Sequence, residues 1–423
     1  MAMKHVIIGA GPAGIIAAET LRKLDRDAQI QVLGDEPEPP YSRMALPYFL
    51  NGQITAAGAC LRNTGGYYAA CGIEVIQERV TAIDPRNHSV TTAGKIQIPF
   101  DRLLIAAGST PVRPPIPGAD LPGVQPCWTL ADARNIIART ADAADVVLIG
   151  AGFIGCIILE ALVGRGVRMQ VIEMEDRMVA RMMDEAAGGL IKRWCEDRGL
   201  KVFTSTRVTG IEQGSGGLMV SLNDGNVLHA NLVITATGVL PNTGFLDDSG
   251  IETGQGILVN EYLQTSHPDI YAAGDICQGR DFSTGGYNVQ AIQPTAAEHG
   301  RIAAMNMNDR RLRHQGCINM NVLDTMGLIS TSYGLWSGAD GGDSVTLEDT
   351  ERFRYLNLQF DDDVLVGAQT LGLTEHIGII RGLIQARIRL GRWRDRLIKD
   401  PTRIMEAWLG CTQAIGYNAG TLR

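Results

Sequence analysis

The stretch His5-Val6-Ile7-Ile8-Gly9-Ala10-Gly11-Pro12-Ala13-Gly14 decides how this chain is read. Its apolar run predicts a buried strand, and Gly9, Gly11 and Gly14 form a G-x-G-x-x-G turn. An apolar helix pattern follows, and then Ile30-Gln31-Val32-Leu33-Gly34-Asp35-Glu36, a second strand ending in acid. Gly9 makes the tight turn. Gly11 lets the backbone approach a pyrophosphate, and Gly14 lets helix and strand pack closely. Pro12 and Ala13 open the helix, whose free N–H groups and partial positive charge favour phosphate. Asp35 falls about 20 residues past Gly14, where a carboxylate bonds a ribose hydroxyl, and Glu36 is its neighbour. The unit reads as a dinucleotide-binding βαβ.

The pattern occurs again. Asp145-Val146-Val147-Leu148-Ile149-Gly150-Ala151-Gly152-Phe153-Ile154-Gly155 is a second strand, turn and helix start, and Met169-Gln170-Val171-Ile172-Glu173 follows it. Glu173 lies 18 residues past Gly155, in the ribose position (173 − 155). Met174, Glu175 and Asp176 come next, an acidic cluster that repels a 2′-phosphate and favours NAD over NADP. Arg177 is the cation that tempers it.

Between and after the two turns, other segments fall into place. The proline-rich run Pro37 to Tyr48 is a shaped loop, in which Arg43 can pair with a phosphate. Arg102-Leu103-Leu104-Ile105-Ala106-Ala107-Gly108 is a buried strand whose glycine lets a loop close over a nucleotide. Pro111, Pro114, Pro115 and Pro117 read as a linker and first domain boundary. Residues 201–230 read as an antiparallel meander, and Leu232 to Gly238 as a closing strand.

Composition bounds the functions. The 423 residues suffice for two or three domains, and 45% hydrophobic with 20% charged residues is a globular balance. A net charge of −8 argues against non-specific nucleic-acid binding. No apolar run reaches the length of a membrane span. The first strand starts so early that no signal peptide is expected, and the expected location is cytoplasmic. The eight cysteines contain no C-x-x-C, so their spacing encodes no metal site, and reduced buried thiols are expected.

The two turns, then Ala236-Thr237-Gly238-Val239-Leu240-Pro241-Asn242, then Ile270-Tyr271-Ala272-Ala273-Gly274-Asp275, resemble in that order the FAD-dependent pyridine nucleotide–disulfide oxidoreductase superfamily. Pro40-Tyr41-Ser42-Arg43 resembles the branch of NADH oxidases, rubredoxin and ferredoxin reductases, and the flavin module of NADH-dependent nitrite reductase. The resemblance implies an α/β fold of two nested Rossmann-like domains plus a C-terminal α+β interface domain. On that pattern residues 1–112 and 241–314 bind FAD, 113–240 bind NAD(H), and 315–423 form the interface or dimerisation domain. Gly274 and Asp275 match the family's contact to the flavin ribityl chain. Pro294 and Thr295 open a helix whose N-terminus, in that family, points at the flavin. Val80 matches a backbone position that holds the adenine.

Three departures carry weight. No cysteine precedes Cys60, so the C-x₄-C pair of disulfide reductases is missing. Met44-Ala45-Leu46-Pro47-Tyr48 stands where single-cysteine relatives have Cys-Gly-Leu-Pro-Tyr, and a thioether is no thiolate nucleophile. Ile157 replaces the glutamate that usually faces the nicotinamide, and Glu160 faces elsewhere in that pattern.

Residues 316–423 read as alternating strands and then helix, with Asp361-Asp362-Asp363 as a solvated acidic turn. The segment from Arg381 to Arg403 has a basic polar face, either plainly solvated or a docking surface for an acidic redox partner. The expectation is an FAD-dependent NAD(P)H oxidoreductase passing electrons between NADH and an iron–sulfur protein or partner subunit, without a redox-active cysteine. The alternatives are a flavoprotein subunit for assembly or redox sensing with a weak NAD site, and an NADH oxidase that reduces oxygen or a quinone. No side chain is named as an acid or base, because the hydride transfer needs none, and no metal site is expected. A homodimer or a subunit of a larger complex are both open.

Overall fold

The computed structural model describes residues 2–140 and 143–420. Strand β1 (Lys4–Ile8) is buried over its last four residues. It pairs in parallel with β2 (Gln29–Gly34) on one side and with Arg102–Ile105 on the other. A strand flanked on both edges, with a helix packed beside it, has no wet face, which is why its sequence is a continuous apolar run. Helix α1 (Pro12–Leu24) has Gly11 at its N-cap and a proline in the first turn, where a missing N–H costs nothing. With β3 (Ile73–Gln77) and β4 (Arg102–Ile105), the sheet runs in the order Ile270–Ala272, β4, β1, β2, β3, all parallel.

The second turn builds the same object. A parallel sheet runs Lys201–Phe203, Arg168–Ile172, Asp145–Ile149, Leu232–Thr235, Val124–Pro126. These strands in chain order are β5 (Val124–Pro126), β6 (Asp145–Ile149), β7 (Arg168–Ile172), β8 (Lys201–Phe203) and β9 (Leu232–Thr235), and helix α2 (Phe153–Val163) follows β6. The two turns agree bond for bond. The Gly9 N–H donates to Leu33 O at 2.7 Å, and the Gly150 N–H to Ile172 O at 2.8 Å. A Cβ on Gly14 would stand 1.9 Å from the Gly9 oxygen, and one on Gly155 would stand 2.1 Å from the Gly150 oxygen. Gly9 and Gly150 have φ +111° and +102°. The meander is shorter than expected. It comprises Val208–Gly214, Gly217–Leu222 and Val227–Ala230. Residues 201–203 instead extend the parallel sheet, because Val202 pairs with Val171.

The proline-rich linker is also more ordered than expected. Ser109–Pro111 pairs antiparallel with Val239–Pro241. The chain then returns through β10 (Ile270–Ala272), the outer strand of the first sheet, and α3 (Gln293–Met307). By packing, one compact unit is Met1–Val112, Trp128–Arg134 and Val239–Cys317, and the other is Arg113–Cys127, Asn135–Gly238 and Ile318–Arg423. The second unit holds a five-stranded antiparallel sheet made from β11 (Met320–Thr325), β12 (Leu328–Gly334), β13 (Asp343–Asp349), β14 (Arg354–Asp361) and β15 (Val364–Leu371). Its order is β11, β12, β15, β14, β13. Asp361 to Asp363 is the tight turn between β14 and β15, with Asp362 at φ +51°.

The basic segment breaks into α4 (Ile377–Gln385), α5 (Arg392–Lys399) and the start of α6 (Ile404–Gly420). Much of its charge is matched locally. Arg394 pairs with Asp343 and Asp395, Arg403 with Glu406, and Arg389 with Asp363. The Arg396 guanidinium lies over Trp393 at 4.5 Å.

The turn geometry separates two glycines by their role. Gly14→Ala forces a backbone shift and is expected to destabilise by about 1–3 kcal/mol or more. Gly11→Ala meets nothing within 4 Å, so it should change stability by no more than about 0.5 kcal/mol. Melting midpoints of the ligand-free variants check both.

Candidate functional site

In the first unit three helix starts converge. A Cβ on Gly274 would stand 3.2 Å from the Ala13 Cβ, which places the short helix Gly274–Ile276 against the start of α1. A Cβ on Gly300 would stand 2.2 Å from Ala13 O, so α3 crosses α1 at backbone contact. Gly11 has open space where a side chain would be, and so has Gly108, at φ +68°. The residues thus leave a cradle lined by backbone, which fits the pyrophosphate of a dinucleotide.

The acids around that cradle are placed differently from one another. Asp35, just past β2, is exposed. Glu36 is half-buried and accepts from the Tyr41 hydroxyl and from Arg43 Nη2, both at 2.6 Å. Arg43 is therefore already paired, and it stacks 5.1 Å over Trp128. The Trp128 indole N–H donates to Ser109 O at 3.0 Å. Burial pushes the Tyr41 phenol well above its ordinary range. Asp275 is largely enclosed, and its partner among the described residues is the Ser109 hydroxyl, which donates at 3.1 Å. Burial raises its pKa from the usual 3.8, while Ser109 and the Arg43 charge hold it down in part. An enclosed carboxylate with one neutral donor has unused acceptor capacity, and such groups mark functional sites.

The remaining predicted positions are accounted for. Val80 is buried and pairs with Thr92 across an antiparallel ladder. The Ala107 and Gly108 carbonyls accept from the Asn242 side chain and backbone at 2.8 and 3.0 Å. Pro294 sits in the first turn of α3, and Gln293 there accepts from the Ser42 hydroxyl. Thr295 is buried, and its hydroxyl faces the Cys317 thiol. Ser109 and Trp128 carry no signal in the sequence motifs, and Asn242 stands there only as the end of the stretch from Ala236. Thr129 and Asp132 cap the helix after Trp128 reciprocally, a spacing legible as a capping box.

In the second unit, Gly152 and Gly238 have open space at their missing Cβ positions, and Phe153 and Ile154 start α2. Both oxygens of Glu173 accept backbone N–H groups, from Ala151 at 2.6 Å and from Glu175 at 2.9 Å. The carboxylate braces the turn and keeps lone pairs for a ribose. Met174, Glu175 and Asp176 are exposed. Arg177 is engaged by Asp176 and by Met183 O, so it does not offset them freely. Ile157 is half-buried on α2. Glu160 is turned toward Asp324 of β11; burial, and secondarily that carboxylate, raise its pKa.

Met44 is 46% exposed on the turn Arg43–Ala45. All eight cysteines are free, and Cys127, Cys156, Cys195, Cys277, Cys317 and Cys411 are buried. Burial pushes the Cys195 thiol up to about 12.

A family model, pyridine nucleotide-disulphide oxidoreductase, matches residues 3–300. The NADH-dependent phenylglyoxylate dehydrogenase subunit epsilon of Aromatoleum evansii is 30% identical over 95% of this chain and 96% of its own length. The NADH oxidase of Methanocaldococcus jannaschii is 32% identical over 72% of this chain and 70% of its own. In fold, the chain is similar to the reductase in the covalent putidaredoxin reductase–putidaredoxin complex, with a TM-score of 0.89, 23% identity, and 97% and 100% of the two chains covered.

Asp275 makes stability depend on pH. Its folded pKa is raised, so the folded state binds the proton more tightly than the unfolded one. The penalty is absent below the ordinary value of 3.8, grows as pH rises through the raised value, and is complete above it. Asp275→Asn removes it. The ligand-free variant should melt higher than the parent at neutral pH, with the difference vanishing in acid. Melting midpoints across pH check the sign.

Proposed function

The chain belongs to the pyridine nucleotide-disulphide oxidoreductase family, and on that premise we propose that it is the FAD-dependent NADH oxidoreductase subunit of an iron–sulfur enzyme. The observation that carries the reading is the matched pair of glycine turns, each with a cradle of open backbone and a carboxylate beside it. FAD, when bound, takes a hydride from NADH and passes electrons on one at a time.

The residues divide the work as follows. The first unit's Gly9, Gly11, Pro12, Ala13 and Gly14 hold the FAD pyrophosphate, with Asp35 or Glu36 at the ribose and Arg43 nearby. Val80, Ala107 and Gly108 line the adenosine side; Gly274 and Asp275 take the ribityl chain; Pro294 and Thr295 present the helix start to the flavin. On this reading residues 1–112 with 241–314 form the FAD domain, 113–240 the NAD domain and 315–423 the interface domain. Gly150, Gly152, Phe153, Ile154, Gly155, Glu173 and Gly238 hold NAD(H). Helix starts carry partial positive charge and steady the phosphates without any proton transfer.

The partner is argued from chemistry and from length. Met44 offers no thiolate, so electrons do not leave through a protein disulfide at that position. The relative from Aromatoleum evansii matches this chain almost end to end and is itself a dehydrogenase subunit. The first point leaves oxygen, a quinone-like molecule and a protein carrying iron–sulfur centres as exits, and the second favours a partner subunit among them. The NADH oxidase relative supports the second reading, reduction of oxygen at the flavin. No helix among the described residues is long and apolar enough to cross a membrane, and eight free thiols suit the reducing cytoplasm proposed for the protein.

Three outcomes are expected. The purified chain is yellow with bound FAD, and Asp275→Asn, by removing a charged hydrogen-bond acceptor worth about 1.5–3 kcal/mol, weakens that binding roughly 10–150-fold in a flavin titration. Colourless protein that takes up no FAD ends the reading. Anaerobic stopped-flow bleaching is faster with NADH than with NADPH, because a 2′-phosphate beside Glu173, Glu175 and Asp176 costs about 1–3 kcal/mol, or roughly 5–150-fold. Equal rates overturn the NADH assignment. Affinity purification under anaerobic conditions brings down an iron-containing subunit whose clusters are reduced on adding NADH; rapid oxygen consumption by the lone chain instead favours the oxidase.

A further inference from the structure

Behind the N-terminal turn of α3 lies a cluster that the redox reading does not use. His299 Nε2 is 3.0 Å from Cys317 Sγ, and His314 Nε2 is 3.7 Å from the same sulfur. One donor atom from each residue lies within 4.8 Å of the other two. The residues are only 3%, 4% and 5% exposed. Histidine is seldom so fully buried, and here two rings meet edge to face, 4.8 Å apart.

Hydrogen bonds to the Cys317 sulfur engage both rings at Nε2, each as donor or acceptor according to its tautomer, and they leave one ring nitrogen over. His299 Nδ1 is buried with no partner, so the ring is held through its Nε2 edge alone. The nearby buried carboxylate, Asp281, spends its hydrogen bonds elsewhere. Its oxygens accept from Ser283 N, Thr284 N, Asn288 Nδ2 and Gln290 Nε2.

The backbone holds the donors in place. Gly316, at φ +101°, makes a turn in which a Cβ would meet Phe282 N at 2.9 Å. The Cys317 N–H donates to Arg280 O, the Phe282 N–H to Cys317 O, and the His314 N–H to Glu261 O at 2.7 Å. His314 and Cys317 have H-x-x-C spacing, which puts two donors on one tight loop, and His299 comes from a helix. In a tetrahedral zinc site, Zn–N of about 2.0–2.1 Å and Zn–S of about 2.3 Å put neighbouring donors roughly 3.3–3.6 Å apart. The two His–Cys contacts of 3.0 and 3.7 Å lie on either side of that spacing, and the widest separation in the set, up to 4.8 Å, closes by about 1 Å when the ion binds.

We propose that His299, His314 and Cys317 bind one zinc ion as a His₂Cys site, with the fourth position open to water. On binding, the thiol loses its proton to solvent and the thiolate forms the Zn–S bond; no electrons move. The buried Thr295 hydroxyl, one helical turn before His299, lies on the Cys317 side and favours the thiolate. The carboxylates of Asp281 and Glu298, which disfavour a bare thiolate, become compensation for the cation's charge. The ion clamps the loop ending at Cys317 onto α3.

The test uses the full FAD-loaded chain. After dialysis into metal-free buffer, elemental analysis should find close to one zinc per chain. If zinc is lost, titrating Zn(II) into chelator-stripped protein should restore one equivalent and raise the melting midpoint. Cobalt(II) in its place should give a thiolate-to-cobalt charge-transfer band, read as a difference spectrum against the flavin. Cys317→Ser and His314→Gln should each weaken uptake at least about tenfold and abolish or shift that band, while the variants keep FAD. Should a variant fail to fold, the wild-type titration decides alone. No stoichiometric uptake of either metal overturns the site, as does uptake that Cys317→Ser leaves unchanged.

Discussion

A carbonyl oxygen stands where a side chain would otherwise be. That contact, Gly9 O against Gly14 and Gly150 O against Gly155, sets the angle at which each first helix leaves its strand. Any Cβ there pushes helix and strand apart, and the helix start then no longer aims its N–H groups into the cradle. The same close approach recurs where Gly300 lets α3 rest on Ala13 O. Backbone-to-backbone packing thus gathers the helix starts of the first unit at one spot. Their partial charges add there, and little side-chain charge is needed to hold phosphate.

The sequence made those backbone features legible because glycine spacing is a direct statement about sterics. Both turns, both flanking strands and both acids were readable from residue order alone. The side-chain network around them was not. Glu36, Tyr41 and Arg43 lie close in sequence, but Trp128, which stacks on Arg43, follows some eighty residues later in an excursion of the chain. Its capping box was visible; its destination was not, because no local rule says which unit a short helix will join. The outer strand β8 is ambiguous in sequence for a similar reason. Residues 201–203 alternate as a meander strand would, and only their partner, β7, decides the sheet. The buried cluster on α3 is not legible from cysteine spacing, because its donors are of mixed type and one of them comes from a helix.

Charge on the surface of the second unit reads differently in three dimensions than in one. The segment from Arg381 to Arg403 is strongly basic as a string. In space three of its guanidinium groups face carboxylates, Arg394 that of Asp343 on β13, Arg389 that of Asp363 in the turn before β15, and Arg403 that of Glu406. Such exposed pairs add little stability. Their effect on long-range steering is larger, since a pair projects a dipole field that fades faster with distance than a lone charge and is then screened within about 8 Å at physiological salt. The paired arginines therefore contribute little to drawing in a distant acidic partner, and any selectivity there has to come from contact.

That leaves the route of electrons to be set near the flavin itself. A cysteine at position 44 would cycle between an oxidised form, a disulfide or sulfenic acid that takes up two electrons as its S–S or S–O bond breaks, and the thiolate that holds them. A thioether forms neither the disulfide nor the thiolate. Met44 is nonetheless exposed, beside Arg43 and close in sequence to the exposed Tyr48. The exposed sulfur on the turn Arg43–Ala45 and the exposed ring of Tyr48 in the helix that follows, Leu46–Leu50, are side chains of the adaptable apolar kind used in protein contacts. The substitution thus changes what the turn can do. It no longer offers covalent chemistry to a small thiol, and it offers van der Waals contact to a large partner. A chain that keeps both dinucleotide cradles and gives up the cysteine is consistent with electron transfer across an interface, where only proximity and orientation are required of the protein.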